Sequence, residues 1–209
     1  MAMVLSAALS ALVNLVIFAG LPFLAYWAYE RRGRRSFDEI AQRAGLQLGG
    51  GRYFACSLVF ALAAVAVLMA WPPPLDPLLR EGSPQRPFQG LGLSATAIVM
   101  ALLYGVIKTG FTEELLFRGL IAGSLSRRLS PASANLGQAL VFLLPHLLLL
   151  RTMPELVRLL PVVFAGALFL GWVRIKSGSI SGPWLVHASL NVGTCLSVAI
   201  RSAAPAPAG

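Results

Sequence analysis

Thr112-Glu113-Glu114-Leu115-Leu116-Phe117-Arg118-Gly119 sets two adjacent carboxylates and an arginine among leucine, phenylalanine and glycine. On a surface helix the apolar neighbours would form one stripe. Here they wrap the whole circumference, which puts the charges inside protein or membrane. The rest of the chain agrees: of 209 residues, 57% are hydrophobic and 12% charged, and mean hydropathy is +0.75. Apolar runs recur at roughly 20 residues, the length that crosses a bilayer. The sequence specifies an all-α, polytopic integral membrane bundle of about six to eight transmembrane helices.

Working outward toward the N-terminus, a helix over about Gly90–Ile107 precedes the motif helix, Phe111–Leu125, with Lys108, Thr109 and Gly110 between them. Joined, the two would exceed ~50 Å at 1.5 Å per residue, longer than a bilayer, so a break or kink near Gly110 is expected. Before them come a Pro-rich loop, Leu75–Gln89, and a helix over Tyr53–Trp71 that Pro72, Pro73 and Pro74 end. The first helix spans about Val4–Tyr29. It carries no basic stretch ahead of it, so it reads as a retained span rather than a cleaved signal. Arg31, Arg32, Arg34, Arg35, Arg43 and Arg52 follow and assign that loop to the cytoplasm. Within it Ser36 and Glu39 have the spacing of a capping box, opening a short interfacial helix that Gly45 stops.

Toward the C-terminus, helices are expected over Ala134–Leu150, Leu156–Val173 and Pro183–Ile200. Arg127, Arg128, Arg174 and Lys176 join the cytoplasmic side if the motif helix does not cross separately. The regions divide as 1–89, a two-helix membrane region with the arginine loop; 90–202, the part bearing the buried polar residues; and 203–209, a disordered Ala/Pro tail. The net charge of +9 clusters beside apolar runs, without interleaved aromatics, so it marks contact with membrane lipid and not with nucleic acid. Cys56 and Cys195 lie within apolar runs and are expected to be buried as free thiols. Arginine in place of lysine, with abundant alanine, suggests a GC-rich bacterial genome and hence the bacterial inner membrane.

The two histidines of the chain, His146 and His187, both fall in membrane segments. His187 and Asn191 are four apart and share one helix face. Pro145 frees the carbonyl of Val141 and bends the helix that carries His146. Each of these groups alone could be interhelical glue, and Glu114 with Arg118 could be a structural ion pair at i and i+4. Glu113 is left without a partner, and a carboxylate beside imidazoles is equipment for activating water. His146 and His187 differ in depth by on the order of 10 Å along parallel helices, an offset that bending or tilt must close. Gly119 and Gly123 form a GxxxG through which another helix can approach.

These residues resemble the CAAX protease and bacteriocin-processing family of intramembrane proteases, also called Abi. The resemblance rests on EExxxR from Glu113 to Arg118, FxxxH from Phe142 to His146, and HxxxN from His187 to Asn191, and covers about Tyr104–Ile200. It implies that 90–202 is a catalytic core and that the protein is an endopeptidase acting on a membrane-associated peptide or protein terminus. Glu113 would be the general base with His146 its partner, His187 and Asn191 would stabilise the oxyanion, and Glu114 and Arg118 would support the motif helix. Zinc, for which two histidines and a glutamate could supply ligands, is left open, with a metal-free route preferred. The rival readings are an immunity or assembly factor with a structural polar cluster, and a small proton-coupled transporter.

Overall fold

The computed structural model describes residues 1–151 and 154–203, without the side chains of residues 155 and 156. Six helices are long and apolar enough to cross a membrane: α1 Ala2–Arg31, α3 Gly51–Ala70, α5 Ala95–Leu125, α6 Pro131–Leu149, α7 Leu160–Ser177 and α8 Ser181–Ala203. The short α2, Phe37–Arg43, and α4, Leu75–Leu79, lie in the loops. The all-α membrane bundle is as expected. The Ala/Pro tail lies outside the described residues from position 204, and Ala203 itself closes α8.

The expected break at Gly110 does not occur. α5 is continuous from Ala95 to Leu125 because two stretches, Leu103–Phe111 and Glu114–Ala122, adopt π-helical turns. Bonding then shifts from i→i−4 to i→i−5, which brings residues five apart onto one face. Side chains follow the same register: Thr109 Oγ1 donates to the Tyr104 carbonyl at 2.9 Å and Thr112 Oγ1 to that of Ile107 at 3.0 Å. Gly105 and Gly110 thereby line up, and their role is close approach, not breakage. A Cβ on Gly105 would stand 2.7 Å from Val192 Cγ2 and 3.1 Å from the Ala188 carbonyl, and one on Gly110 would stand 3.3 Å from Ala188 Cβ. Only glycine lets α8 lie this near α5. The core here comprises Ala97, Met100 and Ala101 of α5 against Cys195, Val198 and Ala199 of α8.

The arginine-rich end is tied together by polar contacts. Ser36 and Glu39 form the expected capping box of α2, and Gly45, at φ +77°, takes the left-handed turn after it. Gly119 and Gly123 do receive a close neighbour, but it is the end of α2 rather than a membrane helix: Cβ atoms there would lie 2.7 Å from the Ala44 carbonyl and 2.9 Å from that of Arg43. Arg174, on the last turn of α7, donates to the carbonyls of Arg118 and Arg43 at 3.1 and 2.8 Å. Glu30, at the end of α1, meets Arg35, Arg43 and Arg127 at 2.7, 3.3 and 3.5 Å. Arg127 and Arg174 therefore join the first arginine loop at one end of the bundle, which the single crossing of α5 requires.

Three further corrections concern local detail. α7 begins at Leu160, after a 3₁₀ turn over Pro154–Arg158, instead of at Leu156. The Pro-rich loop is partly ordered as α4 and a 3₁₀ turn over Arg86–Phe88. Both cysteines are free, but Cys56 is exposed on α3, most of whose circumference faces away from the bundle.

Candidate active site

The π register of α5 and the glycine-permitted approach of α8 bring the motif residues together. Glu114 is fully buried and its Oε1 lies 2.8 Å from His187 Nδ1 and 3.0 Å from Arg118 Nη1. A carboxylate oxygen only accepts, so Nδ1 of His187 carries a proton and donates it. Its other ring nitrogen, Nε2, faces Glu113 Oε2 at 3.9 Å. Arg118, also fully buried, sets its guanidinium 4.1 Å from the Phe142 ring centroid. The result is a row of charge and imidazole, Arg118–Glu114–His187–Glu113, whose last member has a side chain 32% exposed.

One turn along α8, Asn191 Nδ2 donates to Thr109 Oγ1 at 2.7 Å. Thr109 passes its own proton to the Tyr104 carbonyl, which leaves its oxygen free to accept and pins the amide. Trp184 closes the other side, donating Nε1–H to the Val106 carbonyl at 2.8 Å and packing edge-on to Phe111. Thr109 is a site residue that sequence reasoning passed over as part of a spacer. Its signal was available only in the i→i−5 register.

His146 enters differently. Its Nδ1 is 2.9 Å from the Phe142 carbonyl, an acceptor, so this nitrogen too donates, and in the neutral ring Nε2 has the lone pair. The Phe142 ring lies 4.8 Å from the His146 ring and 6.4 Å from that of His187. Phe142 is thus in ring contact with both imidazoles. The imidazole within ion-pair distance of Glu113 is, however, His187 and not His146. Among the described residues, no three His, Cys, Asp or Glu side chains converge as a metal-ligand set.

Residues 95–193 match the family model described as type II CAAX prenyl endopeptidase Rce1-like. That region belongs to the CAAX protease family. Its members are hydrolases of peptide bonds, and the match begins at the start of α5 and ends two residues past Asn191, so it contains all three motifs. No curated protein and no solved structure matches the chain. With six apolar spans and this match over residues 95–193, the protein is a multi-pass membrane endopeptidase of the CAAX-protease type.

Proposed function

We propose that this CAAX-family endopeptidase cleaves a membrane-associated peptide or protein terminus by direct attack of a water activated at Glu113. The observation that carries the reading is the Glu114–His187–Glu113 row, in which one carboxylate is buried and fixed while the other is accessible. Glu114 and Arg118 act as positioning residues. Together they hold the Nδ1–H of His187 and so aim Nε2 at the space beside Glu113, as the buried carboxylate does in a triad.

In the reaction, Glu113 takes a proton from water as the oxygen adds to the scissile carbonyl carbon. His146, with its Nε2 lone pair free, accepts the second O–H and orients the attack. Negative charge moves to the carbonyl oxygen. His187, in the form protonated on both ring nitrogens, and Asn191, which has an amide N–H beyond the one given to Thr109, donate to that oxyanion. Collapse breaks the C–N bond, and the proton held by Glu113 passes to the departing amine. No step is routed through a metal.

The chemistry is tested by single-turnover cleavage of a farnesylated peptide ending in cysteine and three aliphatic residues, in ¹⁸O-labelled water containing hydroxylamine. Direct attack gives an acid product with one ¹⁸O and no hydroxamate. A hydroxamate product would reveal an acyl-enzyme and overturn the reading. The natural substrate is sought as a precursor that accumulates in membranes of cells carrying Glu113→Gln.

A further inference from the structure

Three arginines share one carboxylate at the end of α1. Arg35 Nη1 and Arg43 Nε both face Oε2 of Glu30, at 2.7 and 3.3 Å, and Arg127 faces Oε1 at 3.5 Å. Glu30 is buried, whereas the three arginine side chains stay 29–36% exposed. One negative charge thus holds three positive ones in place. A guanidinium has five N–H donors, so Arg35 and Arg43 each keep donors beyond those that Glu30 takes. Both line a concavity of about 330 Å³, together with Glu39 and Gln42. Arg32 and Arg34, close by in the chain, are exposed, and among the described residues neither has an ion-pair partner.

Depth decides what answers this surplus of charge. α1 has 30 residues, on the order of 45 Å at 1.5 Å each, which matches a bilayer with its headgroup layers included. Its last turn, with Glu30, therefore stands at headgroup level. Tyr26 and Trp27 mark the same level as interfacial aromatics: Arg127 Nη2 donates to Tyr26 Oη at 2.9 Å, and the Arg31 guanidinium lies 4.9 Å from the Trp27 ring centroid. Phe37, the first residue of α2, is 60% exposed and packs edge-on to Phe23 of α1, with ring centroids 6.3 Å apart. Phe23 is seven residues before Glu30, roughly 10 Å deeper along the axis. α2 thus starts against the flank of a membrane-spanning helix, and the concavity beside it lies at the level of the phosphates.

We infer that this concavity binds the headgroup of an anionic phospholipid. The phosphate takes the remaining donors of Arg35 and Arg43 in charge-assisted, fork-like bonds, and Gln42 adds an amide N–H. Glu39 suits a hydroxylated headgroup: its Oε2 accepts the Ser36 amide at 2.8 Å, which leaves Oε1 to accept from a glycerol hydroxyl. An acyl chain runs down the flank of α1 beside Phe37. The bound lipid also steadies the motif helix, because the Arg43 carbonyl accepts from Arg174 at 2.8 Å and Arg174 donates in turn to the carbonyl of Arg118 at 3.1 Å. The site shares no side chain with the row that ends at Glu113, and lipid binding there requires no cleavage.

The test incubates purified protein with equal amounts of phosphatidylglycerol and phosphatidylcholine and counts the retained lipid by native mass spectrometry. Wild-type protein should retain phosphatidylglycerol at least about 10-fold over phosphatidylcholine, since each of two arginines favours anionic lipid several-fold. In Arg35→Gln the ratio should fall toward one. Gln42→Glu leaves every contact of Glu30 in place and sets a second carboxylate in the concavity, so it should lose the preference without loss of fold. Arg128→Gln removes an exposed cation at the same end of the bundle but outside the concavity, and should keep most of it. A wild-type ratio near one, or a preference retained in Gln42→Glu, would overturn the site. So would an equal loss in Arg128→Gln, which would mark diffuse attraction to the whole basic end. Thermal protection by water-soluble glycerol phosphate equal to that by phosphatidylglycerol would assign the concavity to a free phosphate and overturn the lipid assignment.

Discussion

Glu114 Oε1 lies 2.8 Å from Nδ1 of His187, an imidazole 73 residues further along the chain, while the same oxygen accepts from Arg118 at 3.0 Å. One buried carboxylate thus joins a support within its own helix to a functional ring on another. Arg118 pairs with Glu114 within α5, and Glu114 sets which ring nitrogen of His187 is turned toward Glu113. Fold and site are coupled through this one oxygen.

Removing the charge of Glu114 should therefore have two separable effects. Glu114→Gln leaves Arg118 buried and uncompensated, a loss of about 3–5 kcal/mol, read as a lower melting temperature in detergent. Adding Arg118→Met removes the stranded charge and should restore most of that stability. Cleavage should stay low in the double variant, because a neutral amide holds the Nδ1–H of His187 less strongly than the carboxylate and can turn an N–H toward the ring instead. Recovery of activity together with stability would show that the pair serves the fold alone.

Thr109 should matter to catalysis more than to stability. Thr109→Val keeps the shape of the side chain but removes the oxygen to which Asn191 donates. A loosened Asn191 should lower kcat by about 10-fold or more, with the melting temperature little changed. Thr109→Ser, which keeps the hydroxyl, should retain most of the activity. A kcat for Thr109→Val equal to the wild type would remove Thr109 from the site.

The glycines of α5 give a steric test. Gly105→Ala drives a methyl into Val192 and Gly110→Ala drives one against Ala188 and the Gly105 carbonyl. Each should cost about 1–3 kcal/mol, as overpacking does, and separate Asn191 from Thr109. Gly166→Ala is the control, since nothing lies within 4 Å of a Cβ there; its melting temperature should stay at or above that of the wild type.

Glu30 should act as a clamp away from the chemistry. Its side chain is 6% exposed and faces Arg35, Arg43 and Arg127. Glu30→Gln leaves these cations close together without their shared acceptor. Stability should drop by about 1–3 kcal/mol, and added salt should recover part of it by screening the exposed arginines. Protein that remains folded should cleave at the wild-type rate, which a gel-filtered, thermally profiled preparation can establish.

Much of this was legible from sequence because the signals were strong and local. The spans follow from apolar runs, the α2 start from the Ser36–Glu39 spacing, and the site from Glu113, His146, His187 and Asn191 in a chain with few other intramembrane polar groups. The π register was not legible. It goes with the close approach of α8 at Gly105 and Gly110, five apart, a tertiary contact with no counterpart in helical periodicity. Read at α-helical spacing, Gly110 looked like a break and Thr109 like a spacer. The GxxxG at Gly119 was recognised as a point of close approach, but nothing in it distinguishes an incoming helix from the last turn of α2. Glu114 was read as an ion-pair partner of Arg118, which it is. Its second bond depends on where α8 places His187, and that is fixed only in three dimensions.

The most direct test of the account is Glu113→Gln in purified protein, with peptide cleavage by mass spectrometry and thermal unfolding measured on the same preparation. Glu113 has no ion-pair contact within 3.5 Å and is partly exposed, so its amide should fit without disturbing the fold. Cleavage should fall by about 10²–10⁴, the contribution of a general base, while the melting temperature stays within about 2 °C of the wild type, no more than the shift of roughly 2–4 °C that 1 kcal/mol would produce. Cleavage at the wild-type rate, or a loss of cleavage matched by a loss of stability, would contradict the assignment of Glu113 as the residue that activates water.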